Sequence, residues 1–381
     1  VNSPKYKLSV PARINVLGNP SDGVEGDFAT ISAAVNILAH ARVEIDHNLV
    51  LEQVDQAADG SKIYHKQQFS IDQIPMPYDG ELDLVKGGIN RLFRYSSELR
   101  NKLKGQGVRI TVWSDVPRQS GLGGSSLFVI LTLAALRQIF NLDLHYHNDY
   151  VLAELTQRVE AKELDITCGY ADRYVPLFGG IAYLDYRGKL QQNAIDQEAY
   201  ATYERLDPWV DDLPLVVVSS GVTHESGDIH GCMRPRYIEE HADWVLQGGE
   251  APPMVRWMQG AWETAWRGKI ALLRRDWETF GSLMTQNHYF VNEMMTYCGF
   301  SDGAGWANNL LIDTAIKNGA LGAKLTGAGG GGSVFALTKP GKETKLMDAW
   351  EKIANQAGMS AASLYRVKIA RQGLSIVQLE G

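Results

Sequence analysis

Residues 6–18, YKLSVPARINVLG, alternate apolar and polar positions, the period of a strand with one buried face. Residues 28–46, FATISAAVNILAHARVEID, open as a small-residue turn and end as a second strand. In GVRITVWSDVP (107–117), Val108, Ile110 and Val112 share a face, and Pro117 stops the run because it has no N–H to give a ladder. From Leu127 to Phe140 the chain is apolar nearly all round, which predicts a helix buried on most sides. Residues 147–164 predict another helix, capped by Asn148. A strand follows the double glycine in 179–186, and LPLVVVSSG (213–221) predicts a β-branched central strand. Residues 254–298 read as helix, with Trp257, Trp262, Trp266 and Trp277 as packing residues rather than ligand platforms. Residues 322–339 predict strand, glycine loop and strand, and 364–379 one or two closing strands. No regular βαβ alternation is present, so the expected class is α+β rather than a doubly wound sheet. The polar, irregular stretch 187–212 divides the chain into two expected domains, 1–190 and 191–381.

Composition narrows the function. A chain of 381 residues is too long for one small core. The net charge of −7 supplies no broad basic field for nucleic acid or an anionic membrane, although a local basic pocket stays open. Cys168, Cys232 and Cys298 are odd in number and widely spaced, so neither a disulfide framework nor a CxxC metal clip is expected, and a reduced, cytoplasmic setting fits. The longest apolar run, Leu127–Leu136, falls short of the roughly 20 residues of a membrane span. The opening VNSPKYKLSVP has no apolar signal core, and its lack of Met reads as a trimmed start. His145 and His147 form an HxH pair with no third ligand in view, so no zinc site is expected.

Two glycine loops carry the candidate chemistry. SGLGGSSLFVI (120–130) runs straight into the apolar helix. The first N–H groups of a helix lack intrahelical partners and carry the positive end of its dipole, so a phosphate can be held there. Ser125 and Ser126 stand where a hydroxyl reaches a phosphate oxygen or a phosphate-bound Mg2+. Taken alone, the loop reads more readily as a tight turn with a serine cap than as a binding site. It is not a GxxxxGK[ST] P-loop, and Ser126 occupies the third glycine position of the dinucleotide fingerprint. TGAGGGG (326–332) changes the balance, because five glycines in six residues are costly in backbone entropy and a plain turn does not need them. The two loops are expected to converge on one ligand.

VPRQSGLGGSSL (116–127) resembles the second motif of the GHMP kinases, the group of galactokinase, homoserine kinase, mevalonate kinase and phosphomevalonate kinase. KLTGAGGGG (324–332) resembles their third motif and PARINVLGNPSD (11–22) their first. The resemblance implies a two-domain α+β kinase, with a ribosomal-protein-S5-like N-terminal domain, a ferredoxin-like C-terminal domain, and ATP with Mg2+ between them. It implies ATP contacts from Gly121, Leu122, Gly123, Gly124, Ser125, Ser126, Gly327, Gly329 and Gly330. Ser125 matches the Mg2+-ligating serine, but GGSSL stands where many members have GSSA, so Ser125 and Ser126 both remain candidates. In VEAKELDITCGYADRYVPLFGG (159–180), Glu160 matches the metal-holding glutamate, with Glu163 as a rival, and Asp172 the base that takes the proton of the attacking hydroxyl. Arg13 matches the basic residue that neutralises developing charge and keeps that aspartate ionised.

Within the family, GNPSD (18–22), the 162–186 string and SGDIHGCMRPRY (226–237) most resemble the glucuronokinases, which phosphorylate the anomeric hydroxyl of D-glucuronate. The chain departs from them at GYAD, where GLQD-like strings are usual. A uronate carboxylate calls for a guanidinium, and Arg173, Arg234 and Arg236 are the candidates, with Asp22 holding sugar hydroxyls. Surface charge or an ATP phosphate contact explains Arg234 and Arg236 equally well, and His230 reads as a structural polar residue. Trp113 and Lys86 are adenine-pocket candidates by position alone. The alternatives are a heptose, fucose or galactose kinase, or a non-catalytic nucleotide or sugar sensor. Retention of Arg13, Ser125, Glu160 and Asp172 argues against the sensor. The expected partner is a small sugar or sugar acid, with no nucleic acid and no membrane.

Overall fold

The computed structural model describes residues 4–380 apart from 25, 27, 57–60, 118–119, 190–192, 211–212 and 223–225, and the side chains of 226–228 and 230. The chain begins with β1 (Lys5–Leu17), β2 (Ala29–Asp46), β3 (Leu49–Gln56) and β4 (Lys62–Phe69), then α1 (Asp83–Tyr95), α2 (Ser97–Lys102) and β5 (Gly107–Ser114). It continues through α3 (Gly124–Ile139), α4 (Asp149–Arg158), α5 (Ala171–Phe178), β6 (Ile181–Asp185) and β7 (Thr202–Arg205). The remainder is β8 (Leu215–Ser219), α6 (Ser226–Gln247), α7 (Pro253–Leu273), α8 (Trp277–Tyr297), α9 (Trp306–Lys317), β9 (Gly322–Thr326), β10 (Ser333–Leu337), α10 (Glu343–Gln356), β11 (Ser363–Val367) and β12 (Ser375–Leu379).

The strands form two sheets. The larger runs β12–β1–β2–β5–β3–β4, with β6 pairing the first part of β2 and β7 pairing β6. Only β3 and β5 are parallel in it. The smaller runs β11–β8–β10–β9, antiparallel throughout. Numbered from β8, that order is 4-1-3-2, with helices in both crossovers, which is the ferredoxin-like arrangement. The mixed α+β architecture matches expectation. The boundary at 190 does not divide the sheets, because β7 and β12 lie beyond it and both belong to the first sheet.

Burial explains where the pattern misled. Ala29–Val35 is buried at every position, so the two-residue period vanishes and a strand imitates a small-residue turn. The helix α3 is the central beam of the first lobe. Leu127, Ile130, Leu131 and Leu133 are fully buried, each worth roughly 1.5–3 kcal/mol. Asn148 caps α4 as expected, accepting the Val151 N–H at 3.1 Å. That helix ends at Arg158, and one π-helical turn, Val159–Glu163, follows.

Candidate active site

The two glycine loops touch. Gly121 has φ +73°, and a Cβ there would lie 2.3 Å from the Thr326 carbonyl oxygen, so only glycine fits this seam. A Cβ on Gly327 would lie 2.7 Å from Gly121 Cα. Thr326 Oγ1 donates to the Gly121 carbonyl at 3.4 Å and accepts the Asn15 N–H at 3.1 Å, which ties both loops to β1. Beside this seam opens a cleft of about 1130 Å³. Gly121, Gly123, Gly124, Ser125, Gly327 and Ala328 line it. Leu122 and Ser126 are buried behind the wall. Gly329 and Gly330 do not reach it: Gly329 packs against Met295, and the Gly330 N–H bonds the Ala304 carbonyl at 2.9 Å.

Arg13, near the middle of β1, faces Asp172 in the first turn of α5. Arg13 Nε donates to Asp172 Oδ1 at 2.5 Å, and Nη2 donates to Oδ2. The remaining terminal nitrogen holds the Gly121 carbonyl at 2.5 Å, so one guanidinium fixes both base and phosphate loop. Asn15, two positions along the same strand face, adds a bond to Asp172 Oδ1 at 3.4 Å. Burial by itself would raise the Asp172 pKa. The charges of Arg13 and Arg173, with the Arg13 and Asn15 hydrogen bonds, overcome it and hold the carboxyl well below its ordinary value.

Glu160 lies in the π-helical turn, fully buried. Its Oε1 accepts from Ser125 Oγ at 2.9 Å, and Oε2 accepts from Ser126 Oγ at 2.8 Å and from Arg173 Nε at 2.8 Å. Ser125 is the serine at the cleft wall and Ser126 the one behind it. Glu163 points elsewhere, to Tyr78 at 3.0 Å and Arg94 at 2.5 Å. Burial would lower the Arg173 pKa, but neighbouring Cys168, Glu160 and Asp172 raise it above the usual value. Burial pushes the Cys168 thiol up to about 12, so it stays protonated beside these carboxylates.

Asp22 sets the start of α5. Its Oδ2 accepts the Tyr170 N–H at 3.0 Å and the Ala171 N–H at 3.1 Å. A Cβ on Gly169 would fall 2.2 Å from that oxygen. From β9, buried Lys324 donates to the Asn15 carbonyl at 2.9 Å, Asn19 Oδ1 at 2.6 Å and the Leu325 carbonyl at 3.1 Å. Desolvation and the Arg13 charge pull the Lys324 pKa well below its ordinary value, with Asp22 opposing. Asn287 of α8 accepts the Gly18 N–H and donates to the Asn19 carbonyl, both at 2.9 Å.

Residues 83–180 match the GHMP kinases N terminal domain, and residues 308–356 match the GHMP kinases C terminal domain. Glucuronokinase 1 of Arabidopsis thaliana is 28% identical over 370 residues, covering 94% of this chain and 91% of that protein. D-glycero-alpha-D-manno-heptose 7-phosphate kinase of Campylobacter jejuni is 27% identical over 277 residues, 72% of each chain. The structure of Lactococcus lactis galactokinase complexed with galactose matches with a TM-score of 0.73 at 19% identity, covering 97% of this chain and 95% of that one.

The chain carries the N- and C-terminal domains of the GHMP kinases. These are ATP-dependent phosphotransferases that act on hydroxyl groups, and the fold is theirs.

Several expected residues lie away from the cleft of this GHMP kinase. Neither Arg234 nor Arg236 lines it. Arg236 is exposed, pairs with Glu240 at 3.2 Å and stacks 4.0 Å from the Tyr297 ring centroid, so its role as a substrate contact is corrected to a helix-surface one. Arg173 does line the cleft, but its guanidinium is engaged by the Glu160 carboxylate rather than left for a substrate's. Lys86 is buried on Asp83 at 2.9 Å, Trp113 stacks on His40, and neither lines the cleft. Trp257 packs edge-on against Tyr297 and Trp262 against Phe28, as packing residues should. His147 is buried on Ser96, His145 is exposed on Asp143, and His230 is outside the described side chains. Among the described residues no cluster of three His, Cys, Asp or Glu could hold a metal, and no helix is long and apolar enough to cross a membrane.

Asn15 and Lys324 are site residues that the motif reading passed over. Asn15 was reachable, since it shares a strand face with Arg13. The polar residues Gln53, Asp55 and His65 of the β3–β4 hairpin also line the far end of the cleft.

Proposed function

We propose that this protein transfers the γ-phosphate of Mg·ATP to a hydroxyl of a sugar or sugar acid, with the anomeric hydroxyl of D-glucuronate as the first acceptor to test. The observation that carries the reading is Asp172, ionised by Arg13, standing on the wall of the same cleft as Ser125, Glu160 and the two touching glycine loops. The glycine-loop N–H groups and the α3 N-terminus favour the polyphosphate. Asp172 accepts the acceptor's proton. A carboxylate this acidic is a weak base, so the proton moves late, after the loose transfer of the phosphoryl group has made the hydroxyl acidic. Arg13 keeps that carboxylate ionised and in place.

Ser125 Oγ and Glu160 Oε1 are hard oxygen donors 2.9 Å apart, a set that fits Mg2+. Mg2+ takes one or two protein oxygens and fills its octahedron with phosphate and water, so no larger acidic cluster is required. When bound, the ion neutralises charge on the phosphates. Domains near 1–190 and 191–381, the second lending β7 and β12 to the sheet of the first, would flank the nucleotide and the acceptor.

The 28% identity with a glucuronokinase supports the uronate. A second reading, a neutral hexose or heptose, is favoured by the cleft wall. Its two described arginines, Arg13 and Arg173, are already paired with Asp172 and Glu160. The test is ADP release from Mg·ATP with glucuronate, galacturonate, galactose, fucose, heptoses and mevalonate in turn. Stimulation by glucuronate supports the first reading and stimulation by a neutral sugar the second. ATP binding with no sugar-dependent turnover overturns both.

A further inference from the structure

Glu160 and Glu163 lie three residues apart on one helical stretch, yet their carboxylates go separate ways. In an α-helix, positions i and i+3 share a face. Here Glu160 meets Ser125, Ser126 and Arg173 beside the cleft, while Glu163 meets Tyr78 and Arg94. The π-helical turn that parts them is closed by the Leu164 N–H on the Val159 carbonyl, five residues back, at 3.2 Å. Such turns are rare and occur mostly as single insertions at functional sites.

The helix α1 holds this turn from behind. Gly87, Arg91 and Arg94, at i, i+4 and i+7, form one stripe along it. A Cβ on Gly87 would fall 2.7 Å from Val159 Cγ1, so the α1 backbone lies against the start of the turn. Arg91 Nη2 donates to the Arg158 carbonyl at 3.3 Å, just before the turn, and its Nε lies 3.2 Å from Glu163 Oε1 at the turn's end. Arg94 Nη1 donates to both Glu163 oxygens, at 2.5 and 2.7 Å. Tyr78, in the segment before α1, donates to Oε2 at 3.0 Å. The Glu163 side chain is only 5% exposed, and it does not line the cleft.

From this geometry we infer that Glu163 is a positioning residue: clamped by Tyr78, Arg91 and Arg94, it holds the π turn that aims Glu160 at the nucleotide's Mg2+. Without the clamp the turn relaxes toward α-helical winding, which turns Glu160 away from Ser125. The inference rests on the assignment of Mg2+ to Ser125 and Glu160 above.

The test is Mn2+ binding to the enzyme–nucleotide complex, read by the EPR signal of free Mn2+. Half-saturating Mg2+ for turnover, nucleotide binding in EDTA and melting temperature are measured alongside. Glu163→Ala should weaken Mn2+ binding about 10-fold and raise half-saturating Mg2+ to match, as losses behind a metal ligand do. Nucleotide binding in EDTA should stay within twofold. In a Glu160→Gln background the same change should add less than twofold, because it acts through Glu160. A glutamate that only stabilises the fold would lower the melting temperature and leave Mn2+ binding alone. Arg94→Ala removes the half-exposed side of the clamp without emptying a buried site, and should weaken Mn2+ binding about threefold. Arg94→Lys should stay within twofold of wild type, because a single Arg94 nitrogen makes both bonds. If Glu163→Ala fails to fold, the Arg94 pair decides. Mn2+ binding unchanged in folded Glu163→Ala, or in Arg94→Ala where that pair decides, overturns the inference alone, as does equal loss in both backgrounds. Unchanged binding in Glu160→Gln overturns the metal assignment and the inference with it.

Discussion

Arg13 clasps Asp172 side-on, Nε to one carboxylate oxygen and Nη2 to the other, while its third nitrogen holds the Gly121 carbonyl. Asp172→Asn places an amide NH2 against those donors. Turnover should fall by about 10²–10⁴-fold with ATP affinity nearly unchanged. Steady-state kinetics beside a nucleotide titration checks this, and undiminished turnover removes Asp172 from the role of base. Arg13→Lys keeps the charge but not the fork, and should not restore wild-type turnover.

The Asp172 carboxyl is depressed below its unfolded value of about 3.9. Its contribution to stability is therefore complete above that value and is lost as pH falls through the lower folded one. Between pH 5 and 8 the wild-type kcat should show no acid limb from this residue. An acid limb that vanishes in Asp172→Asn would contradict the assignment.

Ser125 and Ser126 grip opposite oxygens of Glu160, and only Ser125 faces the cleft. Ser125→Ala should raise the Mg2+ concentration for half-maximal activity several-fold with little change in melting temperature. Ser126→Ala should do the reverse, costing about 1 kcal/mol of stability through a lost buried hydrogen bond. Metal titrations and denaturation curves on both variants decide which serine serves the ion.

Asp22 accepts two N–H groups at the start of the helix that carries Asp172. Asp22→Ala should destabilise the protein by about 1–2 kcal/mol, as lost helix caps do, and lower kcat along with it. A variant of wild-type kcat would show that the base does not depend on this cap.

His288 of α8 is buried beside Asn309, and desolvation lowers its pKa to about 4. The fold thus prefers the neutral ring. That preference is fully present above the unfolded value of about 6.5 and is lost as pH falls toward 4, a loss of about 3 kcal/mol. His288→Gln should flatten melting temperature against pH across this window. An unchanged slope would assign the acid sensitivity to other groups.

Both glycine loops were legible because each carries more glycine than a turn requires, and Gly121 and Gly327 do meet at a seam without room for a Cβ. Glu160 was legible but not separable from Glu163. The π-helical turn decides between them, and nothing in VEAKEL announces it. Arg234 and Arg236 misled because charges on a helix do not say which way the helix turns. Lys324 was missed for the opposite reason: a lysine in a strand reads as solvated, and only the fold shows three oxygens waiting for it. The β4 strand alternates polar residues at an exposed edge, KIYHKQQF, and gives no apolar period to detect.

The pairing of β1 with β12, Lys5 opposite Leu379, has a consequence for how this enzyme comes to be made. On the ribosome β1 emerges before every other described element, and one of its edges stays bare until β12 has followed. A nascent chain stalled anywhere before residue 375 would display that edge as a template for other strands. Folding of the larger sheet should therefore finish only once β12 has emerged, and termination before it should yield aggregate rather than a trimmed but usable first lobe.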